Sequence, residues 1–148
     1  MFQGQIFSLL GHNGAGKTTT ISMLSGMVSP TDGFLSVLGE TNTQKIREKL
    51  GVCPQHDTLY EDLTVEEHLE LYGSFKGLES DDLTAEVAKL IADVNLREKK
   101  DEYSKNLSGG QKRRLSVAIS FAGRSKVIIM DEPTSGMDTS ARRYIWDL

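Results

Sequence analysis

The run Gly11-His12-Asn13-Gly14-Ala15-Gly16-Lys17-Thr18 constrains this chain more than any other stretch. It fits the phosphate-binding loop pattern G-x-x-x-x-G-K-[ST]. Its glycines let the backbone curl so that several N–H groups point at one phosphate chain. The loop then opens a helix whose N-terminal partial positive charge favours an anion. Lys17 is placed to reach the β- and γ-phosphates, and the Thr18 hydroxyl to serve Mg²⁺. The context agrees: Ile6 to Leu10 is a short apolar run expected to be a buried strand. A helix is expected from about Lys17 to Ser25, with Gly26 as its stop.

A second element completes the chemistry. Val127 to Met130 is a continuous apolar run, expected to be a strand buried on both faces, and it ends in Asp131-Glu132. With a phosphate-binding loop upstream, Asp131 reads as the Walker B acid that holds Mg²⁺. Glu132 is the candidate base that takes a proton from an attacking water. Leu107-Ser108-Gly109-Gly110-Gln111 is a third element. Ser108 is a good helix N-cap, and the two glycines leave backbone N–H groups open, so this is a second helix start suited to an anion. One nucleotide does not need two such sites in one chain. The surplus points to a second nucleotide, or to a second subunit sharing one.

Between these elements the pattern is helical. Thr64 and Glu67 have the spacing of a capping box, and Val65, Leu69, Tyr72 and Phe75 fall on one face of the helix expected there. Ser80 to Val94 carries Leu83, Val87, Leu90, Ile91 and Val94 on one side. A further helix should open near Ser108. Shorter expectations are a strand over Phe34 to Val37, a helix over Gln44 to Leu50 ended by Gly51, and a last helix from Thr139. The fold class expected is α/β: a P-loop NTPase core, about 1–52 and 124–148, with a mainly helical insertion, about 58–122, carrying Leu107 to Gln111, the signature of the family resembled below.

Composition excludes several classes. The net charge is -4 over 148 residues, unlike a nucleic-acid-binding domain, so no nucleic acid is expected. Lys112-Arg113-Arg114 reads as a solvated basic face. No apolar run approaches the 18 or so residues that span a bilayer. The lone Cys53 and three histidines lack metal-ligand spacing.

Together the elements resemble an ATP-binding cassette domain, and the similarity covers nearly the whole chain. The resemblance implies ATP and Mg²⁺ as ligands. The nucleotide is held by Gly11, His12, Asn13, Gly14, Ala15, Gly16, Lys17, Thr18 and Thr19, and Mg²⁺ by Thr18, Gln55 and Asp131. Gln55 matches the Q-loop glutamine, which senses Mg²⁺ and meets the transmembrane domain. Catalysis falls to Glu132, Gln55 and Lys17. Ser135-Gly136-Met137-Asp138 resembles the D-loop. Cassettes of this family pair head to tail, so Leu107 to Gln111 would close on ATP held by a partner cassette. Gly11 to Gly33, Cys53 to Asp57, Leu63 to Leu69 and Arg142 to Leu148 resemble subfamily A of the eukaryotic transporters, which move lipid.

The resemblance implies a membrane-associated ATPase on the cytoplasmic face, coupled to transmembrane domains of the same or another chain. The family has an adenine-stacking aromatic before the segment matching Met1 and a switch histidine beyond the segment matching Leu148. The chain is therefore expected to be incomplete at both ends and inactive in isolation. Two rivals remain at this point: a soluble cassette ATPase of the translation or DNA-repair type, and a nucleotide-binding fragment without turnover.

Overall fold

A computed structural model describes residues 4–135, 137 and 142. The expected helix from Thr139, apart from Arg142, and the D-loop residue Asp138 lie outside the described residues. The chain gathers into two compact units, 1–46 and 47–148.

In the first unit, helix α1 spans Lys17–Leu24. It ends as the glycine at position 26 predicts. Gly26 takes φ +71°, Gly26 N–H donates to Met23 O and Met27 N–H to Ser22 O. This pair of bonds is the Schellman closure that satisfies a helix's last carbonyls. Two expectations fail here. Ile6 to Leu10 forms no strand; it has no ladder partner among the described residues, and Ile6 and Leu10 are about nine-tenths exposed. An apolar run becomes a strand only when a neighbour takes its N–H and C=O groups. Phe34 to Val37 is likewise no strand. Val37 instead pairs with Glu40 across a tight turn in which Leu38 and Gly39 both have positive φ, the geometry of a type I′ reversal.

Helix α2, Thr43–Lys49, runs directly into strand β1, Leu50–Cys53. Gly51, expected to end the helix, lies inside the strand. A Cβ there would sit 1.7 Å from the Ser120 carbonyl oxygen, so the glycine serves close approach between two backbones.

In the second unit, α3 spans Val65–Phe75, α4 Ser80–Asp93 and α5 Gly109–Phe121. Strand β2, Val127–Met130, pairs in parallel with β1, with Leu50 opposite Val127 and Cys53 opposite Met130. α3 and α5 each begin with a complete capping box, from Thr64 with Glu67 and from Ser108 with Gln111. α3 and α4 close with Schellman bonds at Gly77 and Asn95, where Leu78 N–H reaches Gly73 O and Leu96 N–H reaches Ile91 O. The three helices bury Val65, Leu69, Val87, Leu90, Ile91, Leu115 and Ala118 against one another.

Two burial expectations need correction. Phe75 is largely exposed, its ring edge-on to that of Tyr72, because it lies at the helix end, past the packed turns. β2 is half-buried along its length rather than buried on both faces, since β1 is its only ladder neighbour among the described residues.

Candidate functional site

The phosphate-binding loop leads into α1 without a side-chain cap. Gly14 and Gly16 stand at φ +84° and +87°, a region an L-side chain enters only with strain. Gly16 is itself the N-cap. The first-turn N–H groups therefore have no side-chain cap bond. Lys17 lies across the loop, its Nζ donating to Gly11 O at 2.7 Å and His12 O at 3.1 Å. This gathers the ammonium with the loop that a phosphate chain would enter. Asn13, Ala15, Thr18 and Thr19 are exposed along the same stretch.

The acidic end of β2 belongs to the second unit. Asp131 extends the ladder by one bond, its N–H donating to Cys53 O at 2.9 Å. Glu132 follows at φ +47°, a left-handed backbone that costs a non-glycine residue on the order of 1–3 kcal/mol. Such strain persists only where the surroundings over-determine it. Here the Glu132 carboxylate is exposed, and its Oε2 lies 3.5 Å from Gln55 Nε2. Gln55 follows β1, Glu132 follows β2, and the parallel pairing of those strands brings the two side chains together.

The residue that holds this corner was not singled out in the sequence. Arg113 read as part of a solvated basic cluster, but its side chain is only 4% exposed. Its Nε donates to Pro133 O, Nη1 to Pro54 O and Asp57 Oδ1, and Nη2 to Asp131 O and Glu132 O. Arg114 is also engaged, donating to Val94 O and Asn95 O at the end of α4. The helical period carried the missed signal. Ser116, Val117 and Ser120, all buried, lie three, four and seven residues beyond Arg113, on one helical face. Beside Arg113, Cys53 is fully buried. Burial pushes its thiol up to about 11, against the opposing pull of Arg113, so it is no nucleophile near neutral pH.

The signature starts α5. The Ser108 hydroxyl accepts from Gln111 N–H, and the Gln111 side chain accepts from Ser108 N–H. A Cβ added at Gly109 or Gly110 would meet nothing within 4 Å. Packing among the described residues therefore calls for neither glycine. Leu107, by contrast, is buried in the helical core.

For Mg²⁺, the donors read from sequence are a hydroxyl, an amide and a carboxylate. All are hard oxygen ligands of the kind this ion takes alongside retained waters. The Gln55 bond to Glu132 uses Nε2 and leaves the amide oxygen outside it, so the donor chemistry fits. Among the described residues no cluster of three His, Cys, Asp or Glu could hold a metal ion.

A glycine-shaped phosphate loop on a helix start, and a parallel strand ending in paired acids, define a nucleotide-binding protein of the P-loop class. The family model described as "ABC transporter" matches residues 1–135, and the chain belongs to that family. It is 51% identical over 99% of its length to rat "ATP-binding cassette sub-family A member 7". It is 49% identical over its whole length to human "ATP-binding cassette sub-family A member 2". Rat "Phospholipid-transporting ATPase ABCA3" is 50% identical, again over the whole chain. The chain spans only 7%, 6% and 9% of these three relatives. Among solved structures, an "ATP binding subunit of ABC transporter" superposes with a TM-score of 0.83 at 29% identity, covering 92% of this chain and 58% of its own. The cbiO1 protein of Clostridium perfringens, part of the transporter complex cbiONQ, gives 0.79 at 27% identity, covering 92% and 57%. The α/β P-loop NTPase fold and the subfamily A resemblance are thus shown. No helix among the described residues is long and apolar enough to cross a membrane.

Proposed function

We propose that this chain is the ATP-hydrolysing motor segment of a phospholipid transporter. The observation that carries the reading is the exposed Glu132 carboxylate, held on a left-handed backbone beside Gln55 at the end of the paired strands. In this reading Gly11 to Thr19 cradle the phosphates, with Lys17 adding charge. Glu132 accepts a proton from the attacking water, and Gln55 fixes the direction of its carboxylate. Mg²⁺, when bound, offsets phosphate charge, and Thr18, Gln55 and Asp131 are the residues that would hold it. Leu107 to Gln111 meet the ATP of a second cassette in a head-to-tail pair. The open Cβ positions at Gly109 and Gly110 support this, because they leave room for a close approach from outside the chain. Transmembrane domains supply the membrane association, and Asp138 contributes to the cassette pair. Phospholipid is inferred from the names of the relatives.

The test is Glu132→Gln in the complete protein containing these residues, reconstituted in phospholipid vesicles. ATP binding should persist while turnover falls by about 10² to 10⁴, the usual worth of a general base. Turnover within about threefold of the parent would remove Glu132 from that role. Transfer of labelled phospholipid between leaflets should fall in parallel; loss of turnover with transfer intact would rule out the lipid reading.

A further inference from the structure

One guanidinium gathers three consecutive carbonyls. Asp131 O, Glu132 O and Pro133 O all accept from Arg113, at 2.9 Å each. Successive carbonyls of a strand point in opposite directions, so three can converge on one group only if the backbone reverses between them. The reversal is the left-handed φ of Glu132. The same guanidinium takes Pro54 O at 2.6 Å and the Asp57 carboxylate at 3.2 Å, on either side of Gln55 and His56 in sequence. Arginine has five N–H donors, and these five acceptors match that number. Arg113 stands two residues beyond Gln111, on the helix that the signature begins.

We propose that Arg113 is a positioning residue that acts through Glu132. Its planar fork holds Glu132 in its left-handed backbone and fixes the Gln55 segment at the other end, so that the carboxylate and the amide keep their spacing. Because Arg113 rides on α5, any shift of the signature helix moves the carbonyls of Glu132 with it. Arg113 thereby couples the site that meets a partner's nucleotide to the base of its own. A buried structural arginine would stabilise the fold without this consequence. The proposal rests on the reading of Glu132 as the base.

The experiment compares Arg113→Lys, Arg113→Met and Glu132→Gln in the complete protein in phospholipid vesicles. ATP turnover, KM and the single-turnover rate are measured for each. Lysine keeps the charge but loses the fork, so kcat should fall about tenfold to a hundredfold, as expected when a reacting group is displaced by an ångström or so. KM for ATP should stay within about threefold. Arg113→Met should lose at least as much. Added to Glu132→Gln, Arg113→Lys should cost the residual single-turnover rate less than about twofold, since the group it positions is already gone.

A full independent loss in that double variant would overturn the proposal. So would unchanged kcat in both Arg113 variants while Glu132→Gln abolishes turnover. Turnover surviving Glu132→Gln instead defeats the underlying reading, which separates the two failures. If neither Arg113 variant accumulates as folded protein, Asp57→Asn removes only the charged member of the five. It should lower kcat about threefold at constant KM by loosening the fork; unchanged kcat there would reduce Arg113 to a structural residue.

Discussion

At the scale of single residues, the tightest constraint is steric. A methyl group at Gly51 would overlap the Ser120 carbonyl oxygen, 1.7 Å away, and neither a Cβ, fixed by its own backbone, nor a backbone oxygen can rotate aside. Gly51→Ala should therefore destabilise the protein by about 1–3 kcal/mol, the usual cost of overpacking. A shift in the denaturant midpoint at constant slope would measure it, and an unshifted midpoint would contradict the close approach. His68 supplies a second residue-scale test. It is fully buried. Its Nε2 accepts from Tyr60 N–H at 2.9 Å and its Nδ1 sits 2.7 Å from Thr64 O. That pairing suits the neutral ring with its proton on Nδ1. Burial lowers the pKa below the ordinary 6.5. The unfolded chain then binds the proton more readily than the folded one, so the full stability is present above pH 6.5 and is lost as the pH falls through the folded value. The slope of melting temperature between pH 7 and pH 5 should flatten in His68→Gln. An equal slope in parent and variant would mean that His68 does not titrate this way. Neither Gly51 nor His68 was legible as such in the sequence. A glycine after a helix reads as a stop, and His68, flanked by Glu67 and Leu69, shares the helical face of Val65 and Tyr72 without the spacing alone showing whether it is buried.

Elements were more legible where local chemistry decides them. α3 and α5 follow from their capping boxes, and α3 and α4 from their 3.6-residue spacing, because both signals act within one or two turns. Among strands, Val127 to Met130 formed as its apolar run predicts, but others were misread because a ladder needs a partner that the local sequence does not show. Leu50 to Cys53 is four residues long, contains Gly51 and abuts α2 without a turn, so nothing local separates it from the helix. Ile6 to Leu10 has the composition of a strand and no ladder among the described residues. The legible caps make a prediction. The Thr64 hydroxyl accepts from Glu67 N–H, and the Glu67 carboxylate accepts from Thr64 N–H at 2.7 Å. Thr64→Ala breaks one half of the box and should cost about 1 kcal/mol. Since Val65 and Leu69, in the first turns of α3, are fully buried, the loss should appear as global destabilisation rather than fraying. Hydrogen exchange at Glu67 that accelerates while the global melting temperature stays fixed would show otherwise.

On the scale of the whole molecule, the site was legible in its charged and glycine-rich parts and opaque in what supports them. The loop, the acids at the end of β2 and the signature are contiguous in sequence. Arg113, which ties Asp131 to Pro133 and Pro54 to Asp57, joins stretches more than fifty residues apart, and only the fold reveals it. The signature glycines pose the remaining question, because no contact among the described residues calls for them. A Cβ at Gly110 meets nothing within 4 Å, and alanine is better than glycine inside a helix by up to about 1 kcal/mol. If folding alone mattered, Gly110→Ala would be neutral or stabilising. In the proposed pair the start of α5 faces the phosphates of a partner's ATP, where an added methyl group keeps the backbone N–H groups from closing on the anion. Gly110→Ala should then leave the melting temperature equal or slightly raised, keep ATP binding to the single cassette, and still lower ATP turnover by about tenfold or more, because loss of a charge-assisted contact is worth roughly 1.5–3 kcal/mol. Ser108→Arg, which places a long side chain at the same helix start, should abolish ATP-dependent pairing in the Glu132→Gln background, measured by gel filtration. Stability and turnover that both stay at parental values in Gly110→Ala, with normal pairing in Ser108→Arg, would mean that nothing approaches this helix end, and the head-to-tail arrangement would have to be abandoned.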